Sequence, residues 1–202
     1  KNACTFCANR SHDSRIIALC MFPRWLSLPT WTFSKYYIGH LYLYKAFVVF
    51  VRPLLEYWAT VWAPAYIRDI SLIEAVQRRF TKRISGIKDI SCPQRLAKLK
   101  LESLELRRLK TDLITMFKIL HNVIDIDFND FFTLSNVTYT RGHRYKRLKP
   151  LNHINARSFS FSCRRVDCWN SLPDSTVESE SLVSFKTNLQ KLDFTRYLLL
   201  SF

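Results

Sequence analysis

Glycine is scarce: the 202-residue chain holds three, Gly39, Gly86 and Gly142. Three isolated glycines cannot build a G-x-x-x-x-G-K-[ST] phosphate loop or a G-x-G-x-x-G dinucleotide loop. They also argue against a sheet-rich fold, whose tight turns and bulges draw on glycine. H-E-x-x-H and G-x-S-x-G are missing, which removes two common hydrolase signatures. No Asp-Asp pair occurs. Asp125-x-Asp127 comes nearest to a carboxylate cluster, and its setting, IDIDFND, reads as an acidic linker rather than a two-metal site. His121, His143 and His153 are scattered, and a histidine in a basic loop suits a phosphate contact better than a general base. The residue inventory therefore describes a binding module, with no catalytic residue, no metal site, no cofactor and no small-molecule substrate.

Long apolar runs are missing as well. The most apolar stretch, Phe47 to Val51, is bounded by Lys45 and Arg52. A membrane span needs about 20 mostly apolar residues, so no membrane partner is expected. The six cysteines, Cys4, Cys7, Cys20, Cys92, Cys163 and Cys168, show no disulfide framework, and no signal peptide precedes them. Free thiols in a reducing, intracellular compartment are the default. Cys4-x-x-Cys7 is half a zinc motif, with only His12 and Cys20 near enough to complete it. The chain begins at Lys1, with Met21 and Met116 its only methionines, and reads as a piece of a longer frame.

Apolar content and positive charge are both abundant. Hydrophobic residues make up 48% of the chain, ample for a packed core. The net charge is +15 and the sequence pI about 9.8, which points to a polyanionic partner. The charge is blocked. Residues 69–122 hold 12 Lys/Arg against 6 Asp/Glu, and residues 138–168 hold 8 against 1. Asp125, Asp127 and Asp130 separate the blocks, and residues 169–202 are close to neutral.

Along the chain, residues 1–40 carry no usable period and are broken by Pro23 and Pro29. From Leu41 the period is helical, with Leu43, Phe47, Phe50 and Leu54 on one stripe. Pro53 predicts a kink and a new first turn. Tyr57, Trp58 and Trp62 then suggest a buried aromatic elbow. The next helix is expected from an Asp69 N-cap to a Gly86 stop, with Ile73, Val76, Phe80, Ile84 and Ile87 inward. Arg78, Arg79, Lys82 and Arg83 lie off that face. Ser91-Cys92-Pro93 opens a short helix with Leu96 and Leu99 inward. Ser103 caps a longer one, Leu104 to His121, with Leu106, Leu109, Leu113, Met116, Phe117 and Leu120 apolar. Its first turns carry Arg107, Arg108 and Lys110, at the end where the helix dipole disfavours cations, only partly offset by Glu102 and Glu105. That placement invites an external phosphate.

A short helical piece ends in Phe131 and Phe132, and a basic loop over 135–156 leaves room for one short hairpin. Helices over 158–170 (Phe159, Ser162, Val166 and Trp169 inward) and 181–192 (Leu182, Phe185 and Leu189 inward) follow, then an apolar tail. The fold class is mainly α, a small helical bundle. The expected divisions are 1–40, an irregular lead-in; 41–90, a helical segment; 91–193, a basic helical region; and 194–202, the tail.

Six stretches recur in a familiar order. They are V-R-P-L-L-E-Y-W-A-T-V-W-A-P, D-I-S-L-I-E-A-V-Q-R-R-F-T-K-R-I, Q-R-L-A-K-L-K-L-E-S-L-E-L-R-R-L-K-T-D-L, T-R-G-H, C-W-N-S-L-P and S-F-K-T-N-L. Together, over about residues 41–193, they resemble the C-terminal region of reverse transcriptases from non-LTR (LINE-type, jockey-like) retrotransposons. Cys92 departs from the aromatic expected before Q-R-L. The resemblance implies a thumb over 41–86 and a post-thumb helical region over 93–193 that hold RNA or DNA, as duplex or RNA–DNA hybrid. It implies no catalysis here, because the family's aspartates and their Mg2+ belong to the palm upstream. Residues 1–40 contain one aspartate, Asp13. The expected nucleic-acid contacts are Arg78, Arg79, Lys82, Arg83, Arg107, Arg108, Arg141, His143, Arg144, Lys146 and Arg147. The alternative is a helical protein–protein interaction module that uses the Trp-rich elbow and the apolar tail.

Overall fold

The computed structural model describes residues 40–135, 142–151 and 153–200, which belong to one compact unit, Gly39–Phe202. The lead-in over 1–39, with its half zinc motif, and Arg141 lie outside the described residues. The described chain is mainly α. Its elements are α1 (His40–Ala46), α2 (Arg52–Glu56), α3 (Ile67–Lys82), α4 (Cys92–Lys98), α5 (Leu104–Leu120), α6 (Phe128–Phe131), α7 (Asn155–Ser158), α8 (Phe161–Arg164), α9 (Val166–Asn170), α10 (Asp174–Val177) and α11 (Leu182–Lys191). Among the described residues, the expected hairpin is represented by one antiparallel bridge between Leu134 and Arg147.

Pro53 shapes the entry. It cannot donate to the carbonyl four residues back. The chain widens into a π-turn over Phe47–Val51, where the Arg52 N–H donates to the Phe47 carbonyl, and α2 restarts with Pro53 in its first turn. The expected kink is therefore present, but the wider turn rotates every residue after it. Phe47, Leu55 and Ala59 face inward, whereas Phe50 and Leu54 are 71% and 64% exposed. The elbow also differs from expectation. Tyr57 and Trp58 are exposed, Trp58 in the left-handed region at φ 53°, and the small Ala59 is the buried residue.

α3 starts two residues before the expected cap, with Tyr66 as N-cap and Asp69 in its first turn, and it ends at Lys82. Gly86, at φ +79°, shapes the turn beyond. Ile70, Ile73, Ile84 and Ile87 are buried, while Val76 and Phe80 are half-buried, Phe80 against the Phe47 ring at 5.0 Å. At α4, the Ser91 N–H donates to Gln94 Oε1 at 3.3 Å.

The core is built on α5. The Ser103 hydroxyl accepts from the Leu106 N–H and starts the helix as expected. Leu109, Leu113, Met116, Phe117 and Ile119 pack with Trp169, Leu172, Val177, Phe185, Leu189 and Phe194. Phe117 and Phe185 stack at 4.2 Å. The single expected helix over 158–170 is three short ones, α7 to α9, in which Phe159 is exposed and Val166 and Trp169 are buried. Ser181 caps α11 by accepting from the Ser184 N–H.

Polar side chains tie these elements together from inside. Asp112 on α5 is 0% exposed. It accepts from Arg164 Nε and Nη2 at 2.9 and 2.6 Å and from Arg165 Nε at 3.3 Å. Arg164 Nη2 also reaches the Ala59 and Thr60 carbonyls, both at 2.9 Å. One guanidinium thus joins the elbow, α5 and α8. Glu74 of α3 accepts from the Glu105 N–H at 2.9 Å, and Gln77 donates to the Glu102 carbonyl at 3.0 Å. These contacts satisfy backbone groups at the start of α5 that no helical partner can reach. Burial pushes the Glu74 carboxyl above its usual pKa, partly opposed by its backbone hydrogen bonds. Glu105 in turn accepts from the Leu199 and Leu200 amides at 2.7 and 3.1 Å, which docks the tail.

Two predictions follow from these links. Asp112→Ala leaves the Arg164 guanidinium buried without its counter-charge and should cost about 3–5 kcal/mol in urea unfolding. A loss below about 1 kcal/mol, typical of a solvent-screened pair, would refute the role given to it. Glu74→Gln keeps an acceptor for Glu105 and removes a buried charge. The folded-state pKa of Glu74 is raised, so wild-type stability from this group falls as pH rises through the unfolded pKa towards the folded one. The stability of Glu74→Gln relative to wild type should therefore be greater at pH 7 than at pH 5. An unchanged difference in urea midpoints would count against it.

Candidate nucleic-acid interface

The exposed basic surface centres on the C-terminal half of α3. Arg79, Lys82 and Arg83 are exposed, and none forms an ion pair among the described residues. Arg78 is half-buried and folds back along the helix, donating to the Ser71 carbonyl and hydroxyl at 3.0 and 3.3 Å. Its guanidinium is thereby drawn towards the N-terminal half of the helix. The helix ends here, so the C-terminal partial negative charge of the dipole favours these cations. The opposite side of α3 is fixed to α5 through Glu74 and Gln77.

The cations at the start of α5 behave differently from expectation. Arg107 is paired with Glu56, Nη2 to Oε2 at 3.1 Å. Lys110 is paired with Glu102. Arg108 is buried, donates to the Leu55 carbonyl at 2.6 Å and lies over the Trp62 ring at 5.3 Å. Burial pushes its pKa down to about 10. The unfavourable end of the helix is therefore compensated from within, by Glu56 and Glu74, and Arg107 and Arg108 are not open phosphate contacts.

The basic loop is also divided. Arg147 is 2% exposed. Its guanidinium lies 3.4 Å from the Phe132 ring centroid, 4.7 Å from Trp169 and 5.3 Å from Phe128. Burial pushes its pKa down to about 9. A cation in an aromatic cage is packing as much as charge. His143 is buried, its Nε2–H donating to the Trp169 carbonyl at 3.0 Å, and burial lowers its pKa. Both are corrections to the expected contact set: a buried side chain cannot meet a phosphate at the surface. Arg144 is exposed, 3.4 Å from Glu178 and over the Tyr145 ring. Lys146 is half-buried, its chain passing 3.3 Å from where a Cβ on Gly142 would lie.

The C-W-N stretch explains how this loop is held. Trp169 Nε1 donates to the Tyr145 carbonyl at 3.0 Å. Asn170 accepts from the Arg147 N–H at 2.8 Å and donates to the Arg147 carbonyl at 2.9 Å. Its amide pairs with Arg147 as a neighbouring strand would. Neither periodicity nor charge pointed to Asn170. The available signals were its place in the C-W-N-S-L-P stretch and its adjacency to a core tryptophan.

Among the described residues, no group of His, Cys, Asp and Glu side chains is arranged to hold a metal ion. No described helix is long and apolar enough to cross a membrane. Comparison of the chain with protein-family models, with curated proteins and with solved structures finds no match.

Asn170→Ala removes two hydrogen bonds and leaves the Arg147 backbone groups unpaired. It should cost about 1–3 kcal/mol and increase proteolysis within residues 143–148, without loss of far-UV helical signal. Wild-type cleavage rates in the loop would refute the role of Asn170 as its clamp.

Proposed function

We propose that this chain is a nucleic-acid-gripping helical module related to the thumb and post-thumb region of non-LTR reverse transcriptases, and that it carries no polymerase chemistry of its own. The observation that carries the reading is the basic end of α3, where Arg79, Lys82 and Arg83 are exposed and form no ion pair among the described residues. The ordered motifs and the net charge of +15 support it. Lys and Arg on a rigid helix neutralise successive phosphates and release counterions, so affinity should fall steeply with salt. The RNA–DNA hybrid or duplex backbone is the partner this surface suits, and base readout is not required.

The exposed side chains of Phe50, Leu54, Tyr57 and Trp58 favour a second reading, a surface that docks on another protein. A protein complex that survives high salt, together with no binding to any nucleic acid, would establish that reading.

The triple variant Arg79→Ala, Lys82→Ala, Arg83→Ala should fold normally and bind an RNA–DNA hybrid more weakly. The slope of log K against log salt should fall in magnitude by about 2–3, at roughly 0.9 per phosphate contact. Unchanged affinity and slope in filter binding would refute the proposal. Primer extension with Mg2+ should yield no product.

A further inference from the structure

Two overlapping patterns mark the end of α3, Arg78-Arg79-Phe80-Thr81 and Lys82-Arg83-Ile84-Ser85. Each places a hydroxyl two residues after an arginine and three after a second cation. A serine/threonine kinase with an acidic substrate cleft selects that charge pattern. The fold separates the two hydroxyls. Thr81 is buried within α3, where it donates to the Gln77 carbonyl at 2.9 Å. Ser85 lies beyond the helix end and is exposed, and its hydroxyl forms no hydrogen bond among the described residues.

A kinase takes its substrate as an extended segment, and this connection can open without melting a helix. Residues 83–91 bridge α3 and α4. From Ser85 to Ile90, one backbone amide among the described residues has a backbone acceptor, the Ile87 N–H on the Ile84 carbonyl at 3.4 Å. Gly86 stands in open space, where an added Cβ would meet nothing within 4 Å. The tethers are the buried side chains of Ile84 and Ile87. A turn with one backbone bond and two apolar tethers belongs to the low-stability end of local opening.

A phosphate here would fall among the cations of the candidate interface. Residues 79–90 carry Arg79, Lys82, Arg83 and Lys88 against Asp89, a net +3. A phosphoserine brings about −1.5 to −2 at pH 7, at least half of that charge. Lys82 and Lys88 are each three residues from Ser85, within about 11 Å even along an extended chain. That is close to the Debye length of about 8–10 Å, so screening does not remove the attraction. The phosphoserine competes with a nucleic-acid phosphate for the same side chains.

We propose that Ser85 is a phosphorylation site for a basophilic serine/threonine kinase and that its phosphate releases nucleic acid from the end of α3. The release rests on the nucleic-acid reading above, whereas the site does not. In the transfer, Ser85 Oγ attacks the γ-phosphorus of ATP and the bond from that phosphorus to the β–γ bridging oxygen breaks. ADP leaves with the electron pair, and the hydroxyl proton passes to the kinase's carboxylate base.

The folded chain would be incubated with ATP and the catalytic domains of cyclic-AMP-dependent kinase and protein kinase C, then mapped by mass spectrometry. Phosphate should enter at Ser85 and not at Thr81. The phosphorylated chain, with its far-UV helical signal unchanged, should bind an RNA–DNA hybrid at least tenfold more weakly in filter binding. Its slope of log K against log salt should fall in magnitude by about 2, at roughly 0.9 per phosphate contact. Ser85→Ala, treated in the same way, should bind as unmodified wild type does. No incorporation at Ser85 by either kinase, or incorporation only after denaturation in urea, would overturn the site. Incorporation at Ser85 with unchanged affinity and slope would overturn the switch. Failure of the unmodified chain to bind any hybrid would overturn the gripping reading and the switch with it, while incorporation at Ser85 would still uphold the site.

Discussion

The carboxylate of Asp112 is where the fold is joined. It sits at 0% exposure in the middle of α5 and holds two arginines, Arg164 at the end of α8 and Arg165 before α9. Moving three charges out of water is costly, and the arrangement repays that cost only with near-complete hydrogen bonding. Arg164 meets that requirement by adding the Ala59 and Thr60 carbonyls to its contacts with Asp112. A pair of leucines at those places could fill the volume. It could not satisfy two carbonyls at the end of a turn that no helix continues. The ion pair is therefore also a backbone cap for the elbow, and this fixes where α8 lies against α2 and α5.

That constraint sorts the positive charge of the chain into two populations. Arg95, Arg108, Arg147 and Arg164 act as interior fasteners, each reaching backbone carbonyls. Several of those carbonyls lie where helices break: Leu55 at the end of α2, Ala59 and Thr60 in the turn beyond it, and Ile90 just before α4. Arginine suits this task because five donors on a planar head can serve several carbonyls at once. Net charge alone overstates the surface available to a polyanion, since part of it is used to hold short helices together.

Long elements with clear caps were legible in the sequence. The Ser103 cap, the apolar face of α5 and the inward Phe185 and Leu189 all stand as expected. Local rules governed these positions, and packing agreed with them. Two kinds of feature were not legible. The π-turn before Pro53 shifts the register by part of a turn, so the stripe of Phe50 and Leu54 points outward although its spacing is helical. Long-range polar contacts were the other kind. Glu56 meets Arg107 and Asp112 meets Arg164 across about fifty residues, and no periodicity records such a pairing. Of the candidate interface, the free cations of α3 were visible as residues off an apolar face. The burial of Arg108, His143 and Arg147 became visible only with the fold.

The helix dipole gives one physical reason why some cations stay outside and others are drawn in. At the start of α5, Arg107, Arg108 and Lys110 oppose the dipole, and each has found internal compensation in a carboxylate or carbonyl. At the end of α3, Arg79, Lys82 and Arg83 are favoured by the dipole and need no carboxylate to be stable there. They can remain charged, solvated and unpaired while the opposite face of the same helix is held by Glu74 and Gln77. An unfavourable local charge first suggested α5 as the end seeking an external phosphate. The packed structure reverses that inference. A strained charge is satisfied inside during folding, whereas an unstrained one stays free, so the end of α3 is the stronger candidate for an external anion.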